Sequence, residues 1–158
     1  MKEIALLGTT NHVFADVLGA LMAKGLSVNA MVDFPERVML NDTRLTVSHL
    51  PFGEEQQVVI ALDGYDDAVL TYNDDLEDRY TNDMTLRYFV STVTAARKAG
   101  VKRIVVVGSP VSEAFFVTEL RRLDDIDWVF ISTEGDFAAR AAAEVTEPRC
   151  HRQVYTEG

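Results

Sequence analysis

The chain has 158 residues, enough for one unit whose core buries roughly two thirds of the unfolded surface. Its formal net charge of -10 sets the surface against phosphate backbones, so nucleic acid is not an expected partner. No apolar run reaches the ~18–20 residues of a membrane span, Met1-Lys2-Glu3 shows no signal-peptide pattern, and lone Cys150 completes neither a disulfide nor a zinc spacing. No metal site and a cytoplasmic location are therefore expected.

Strand and helix signals alternate along the chain. Residues 3–7 are a continuous aliphatic run, expected of a strand buried on both faces. Asn11 can cap the next helix, whose apolar face is Val13, Val17, Leu18, Leu21 and Met22, and Gly25 stops it. A second strand spans 27–32, and Pro35 opens a short helix over 36–40. Residues 45–50 alternate more and predict a third strand near a sheet edge. A helix over 54–62 ends toward Gly64, and a fourth strand covers 67–72. After an acidic loop from Asn73 to about Arg79, the longest helix runs over 82–99 and stops at Gly100. Residues 103–107 carry the strongest buried-strand signal. Ser112 is read as the cap of a helix reaching about Leu123, 127–131 as a sixth strand, and 137–143 as a short alanine-rich helix.

The charge runs have plain readings. Arg97, Lys98, Lys102 and Arg103 surround a helix end, where cations complement the dipole. The acids around 63–67 and 74–78 read as solvated loop surface. His12, His49 and His151 are isolated from any acid–nucleophile pair, and Trp128 and the phenylalanines read as core.

Such alternation predicts an α/β, Rossmann-like doubly wound fold: a mostly parallel sheet of about six strands with helices on both faces. The expected organisation is a single unit over 1–158, with its core in 1–132 and a reduced segment over 133–158. Ligands of such sheets bind at the carboxyl ends of the strands, which nominates the loops after Leu7, Val32, Tyr72 and Val107. Gly8 lets the chain turn tightly, and helix-start amides can meet a pyrophosphate there. Thr10 or Asn11, and Phe14, stand where a full glycine fingerprint has two more glycines. A plain strand-to-helix turn capped by Asn11 explains the same residues. Asp33 lies where a carboxylate would accept from ribose hydroxyls and repel a 2′-phosphate, favouring NAD over NADP; an exposed loop acid or helix cap is the alternative. Arg37 could instead offer charge to a 2′-phosphate. Tyr72 and Asn73 end the fourth strand and Ser109 the fifth, each readable as ligand contact or as ordinary turn.

The stretch Ala95-Ala96-Arg97-Lys98-Ala99-Gly100-Val101-Lys102-Arg103, followed by Ile104 to Val107 and Gly108-Ser109, resembles the fifth-strand segment of extended and atypical short-chain dehydrogenase/reductases, including the NAD-dependent epimerase/dehydratase and NmrA-like groups. Ile4 to Thr10, Val32 to Arg37 and Asp67 to Leu70 resemble other parts of that pattern, and the likeness covers about Met1 to Ser132. It implies an NAD(P)-binding oxidoreductase or epimerase acting on an unspecified small molecule. In that reading Gly8, Thr10 and Asn11 hold the pyrophosphate, Asp33 the adenosine ribose, Tyr72 and Asn73 the nicotinamide ribose, and Ser109 faces the substrate. It also implies a homodimer through the long helix and the helix after Ser112. The departures are equally specific. Only Gly8 of the glycine turn remains, the acid ending the third strand is replaced near Ser48-His49, and no Tyr-x-x-x-Lys pair follows Ser109. No catalytic residue can therefore be assigned, and a catalytically silent dinucleotide sensor or interaction module on the same fold is the alternative. A flavodoxin-like or response-regulator-like domain is a third alternative; the latter would need an acid pair after the first strand and a lysine after the fifth, and neither is present.

Overall fold

The computed structural model describes residues 3–51, 53–72, 79–147 and 153–155, with the backbone alone for 79–87 and 153–155. Strands β1 (Glu3–Gly8), β2 (Ser27–Val32), β3 (Leu45–His49), β4 (Asp67–Thr71), β5 (Arg103–Gly108), β6 (Asp127–Ser132) and β7 (Gln153–Tyr155) form one sheet. The order is β3-β2-β1-β4-β5-β6-β7, and every pairing is parallel. The six expected strands are present, and β7 extends the sheet beyond β6. The alternating third strand lies at an edge, as its half-polar pattern requires.

Among the described residues five helices cover the sheet: α1 (His12–Ala23), α2 (Glu55–Leu62), α3 (Arg79–Ala99), α4 (Glu113–Leu120) and α5 (Phe137–Thr146). Helices α1 and α5 close one face over Ile4, Leu6, Val105 and Val129. Helices α2, α3 and α4 close the other over Leu7, Leu70, Val106 and Phe130. Successive residues of β1 and β5 feed opposite cores because side chains alternate across a strand, so both strands must be apolar throughout. Gly25, Gly64 and Gly100 adopt φ of 77°, 90° and 84°. Each follows a helix end, where a Cβ would be strained and glycine is not.

Two local expectations are corrected. Residues 36–40 do not form a helix; the 3-10 turn stops at Pro35–Arg37, and Val38 is extended. The extended chain lets Val38 pack beside the α1 core. Downstream, the Arg44 guanidinium and backbone N–H both donate to the Asp42 carboxylate, which holds its pKa down at about 2. Ser112 makes no cap bond to α4. Ser109 instead accepts from the Val111 N–H, and Pro110 opens a 3-10 turn, Pro110–Ser112, that leads into α4. Proline presets φ for such a start and lacks the donor that would be orphaned there.

The basic run is also different from its reading. Arg97, Lys98 and Lys102 pair at the surface with Asp125, Glu55 and Asp66. Arg103 is buried, with Nε 2.9 Å from Asp67 Oδ1, so Asp67 is core rather than loop surface.

Candidate functional site

Register brings the strand ends onto one rim. Gly8 pairs with Val32 on one side and Thr71 on the other, Thr71 with Val107, and Gly108 with Ser132. The segments after β1, β2, β4, β5 and β6 therefore emerge side by side at the carboxyl edge.

At the centre of that rim the β1–α1 turn is held by side chains. Asp33 Oδ1 accepts from Thr10 N at 3.0 Å, from Thr10 Oγ1 at 3.3 Å and from Phe34 N at 2.9 Å. Asn11 caps α1 as expected, with Oδ1 accepting from Phe14 N at 3.0 Å, and its Nδ2 donates to Thr9 Oγ1 at 3.1 Å. The cap consumes one of the free amides that open a helix. The amides of His12, an exposed residue, and of Val13, whose side chain is buried, are the other two that open the helix. Asp33 Oδ2 accepts from none of the described residues.

Gly8 has a packing reason. A Cβ there would run into Thr71 Oγ1 and stand 3.3 Å from the Phe14 ring. Phe14, in the third glycine position, is 2% exposed and belongs to the core beneath α1. Phe14 also contributes to the lining of the adjoining groove.

Next to the turn a groove of about 500 Å³ opens between α1 and the segment after β2. Thr10, Asn11, His12 and Arg37 form its polar wall, and Leu18, Val38, Met39 and Leu40 are among its apolar residues. The Arg37 guanidinium carbon lies 4.2 Å above the Phe34 ring. Sequence reasoning noticed Arg37 but not the groove, because its apolar wall comes from residues assigned to a helix.

On the other side of the rim, Tyr72 is drawn inward. Its ring meets Phe89 edge-on at 5.5 Å and Phe116 at 5.3 Å, and Phe116 in turn meets Phe130 at 5.8 Å. Burial pushes the Tyr72 phenol above the ordinary tyrosine range, outweighing an opposing hydrogen bond with Thr92. The backbone of Tyr72 still belongs to the rim, since its N–H donates to Val107 O at 2.8 Å. Asn73 lies outside the described residues. Ser109 is 9% exposed, and its Oγ accepts from Val111 N at 3.2 Å, leaving its proton free to donate. Gly8, Thr10, Asn11 and Asp33 are thus gathered in one cluster, and Ser109 and Tyr72 stand further along the same edge. Among the described residues, no group of His, Cys, Asp and Glu could hold a metal ion, and no helix is long and apolar enough to cross a membrane.

A parallel sheet in this strand order, with a helix start and a carboxylate side by side at its switch point, defines a Rossmann-like dinucleotide fold. The chain belongs to the NAD(P)H-binding domain family, whose model matches residues 15–143. That stretch begins just past Phe14, after the turn. Similar solved structures include an epimerase candidate from Bacteroides thetaiotaomicron, with TM-score 0.80 and 21% identity, covering 99% of this chain and 98% of that one. The NADPH-dependent quinone oxidoreductase QOR2 from Escherichia coli, complexed with NADPH, gives a TM-score of 0.75 at 20% identity, over 96% of this chain and 68% of that one. Triphenylmethane reductase from Citrobacter, complexed with NADP(H), gives 0.75 at 20% over 97% and 68%. At such identities the likeness is one of fold. No curated protein matches the chain.

Proposed function

We propose that residues 1–158 act as one NAD(P)-binding unit and that the protein is a reductase whose acceptor takes a hydride without a proton from a tyrosine–lysine pair. The observation that carries this reading is the open Asp33 Oδ2 beside the amides at the start of α1. A pyrophosphate would lie over Gly8, Thr10 and Asn11 against the His12 and Val13 amides. Asp33 Oδ2 would accept from the adenosine ribose, and its charge favours NAD over NADP. Tyr72 and Asn73 would border the nicotinamide ribose, and Ser109 the substrate.

The bound nicotinamide supplies the hydride. The chain supplies orientation, and Tyr72 and Ser109, the described residues assigned here to the nicotinamide and substrate end, are weak acids. Tyr72 is directed into the ring cluster with its phenol pKa raised, which removes it as a general acid near neutral pH. The Ser109 hydroxyl can donate a hydrogen bond to an acceptor oxygen but is too weak an acid to protonate one. Such a site suits electron-poor conjugated acceptors, quinones above all, which take their proton from water after the hydride arrives. The quinone and dye reductases of the same fold support this choice. The same reading keeps the cytoplasm as the place of action and pairing of two chains through α3 and α4 as the assembly.

The test is oxidation of NADH and NADPH with benzoquinones, naphthoquinones, triphenylmethane dyes and simple ketones. Steady turnover is expected with the first three classes and none with ketones. Tyr72→Phe is expected to keep turnover within about twofold, whereas loss of a general acid costs about a hundredfold or more. Tight binding of NADH with no oxidation by any acceptor would instead support a silent sensor, the reading favoured by the ring cluster that fills the inner side of the β4 and β5 ends.

A further inference from the structure

We propose that Asp33, the ribose acceptor of the reading above, is also a positioning residue: through Oδ1 it builds the phosphate-facing turn that glycines would otherwise build. After Gly8 the turn holds Thr9, Thr10 and Asn11, and none of the described non-glycine residues has a positive φ. The turn therefore cannot use left-handed conformations to aim its amides. Side chains fix it instead. Asp33 Oδ1 takes both donors of Thr10 and the Phe34 amide, binding the β1–α1 turn to the end of β2 across 23 residues of sequence. Asn11 fixes the following step, from Thr9 to Phe14.

This division of labour separates two variants that a purely selective carboxylate would not. Asp33→Asn keeps an oxygen for the Thr10 and Phe34 amides and removes the charge at the ribose. The 2′-phosphate of NADPH is then no longer repelled, and the groove beside the turn offers it Arg37 and His12. Asp33→Ala removes both functions.

Only the cofactor arm of the test rests on the NAD(P) reading. In that arm, affinities for NADH and NADPH are measured by fluorescence for the unchanged protein and both variants. Asp33→Asn is expected to bind NADPH at least about tenfold more tightly than the unchanged protein, and Asp33→Ala to bind both cofactors at least about tenfold more weakly than Asp33→Asn. The second arm needs no cofactor: hydrogen exchange of individual amides in the free protein. Thr10 and Phe34 are expected to be protected in the unchanged protein and in Asp33→Asn and to lose protection in Asp33→Ala, with the His12 and Val13 signals moving only in the alanine variant. Equal Thr10 protection in all three proteins, or Asp33→Ala binding NADPH as tightly as Asp33→Asn, overturns the proposal. If none of the three proteins binds either cofactor, the NAD(P) reading falls and the exchange arm alone decides the positioning role.

Discussion

Arg103→Ala is expected to lower stability by about 3–5 kcal/mol, the usual cost of removing one partner of a buried ion pair. The Arg103 side chain is 4% exposed and meets an equally buried Asp67 at 2.9 Å. Its Nη1 also donates to the Glu144 carbonyl at 2.6 Å and the Glu147 carbonyl at 3.0 Å. One guanidinium thus joins the start of β5 to the carboxyl end of α5, where the last carbonyls of a helix need donors. Without it Asp67 loses its cation and α5 loses its anchor on the sheet. For a chain of this size the loss corresponds to a melting point lower by about 10 °C, measurable by circular dichroism. Arg103→Lys keeps the charge but not the planar reach to two carbonyls, so it should fall between the two. A melting point of Arg103→Ala within about 2 °C of the unchanged protein would mean that the pair contributes no more than a surface one.

Gly8→Ala is the second large effect, expected toward the top of the range of about 1–3 kcal/mol for forcing atoms into a packed site. The added Cβ runs into Thr71 Oγ1 and stands 3.0 Å from the Thr71 carbonyl oxygen. The Thr71 hydroxyl cannot turn away freely, because it donates to Leu7 O at 3.3 Å inside the sheet. Either β4 or the turn must move, so cofactor affinity should fall together with stability. Removing the obstructing hydroxyl should recover part of the loss: Gly8→Ala with Thr71→Ala is expected to be less destabilised than the sum of the two changes by at least about 0.5 kcal/mol. Strict additivity in a urea-unfolding cycle would place the need for glycine elsewhere. Packing alone accounts for Gly8, so at this turn only Asp33 and the helix start point to a ligand.

The fold was legible because its signals are local and redundant. Aliphatic runs marked the strands buried on both faces, and glycine stops at Gly25, Gly64 and Gly100 marked helix ends that the backbone confirms with positive φ. What the sequence concealed depended on partners distant in the chain. Arg103 looked like one more cation at a helix end; only the pairing of β4 with β5 sets it against Asp67. The Asp33–Thr10 bond required knowing that β2 ends beside β1. Ser112 drew the cap assignment because it directly precedes α4, yet Pro110 shifts the start of the turn upstream and gives the cap to Ser109. In residues 36–40, Pro35 and Glu36 argued for a helix, while burial of Val38 against the α1 core favours an extended chain. The groove between α1 and residues 37–40 exists because of that extended path.

The most direct test is a crystal structure of the protein grown with NADH. The account predicts density for the pyrophosphate against the amides of His12 and Val13, a ribose within hydrogen-bonding distance of Asp33 Oδ2, and a nicotinamide directed along the rim toward Ser109. A dinucleotide bound anywhere else, or an empty rim at NADH concentrations that saturate binding in solution, would contradict it.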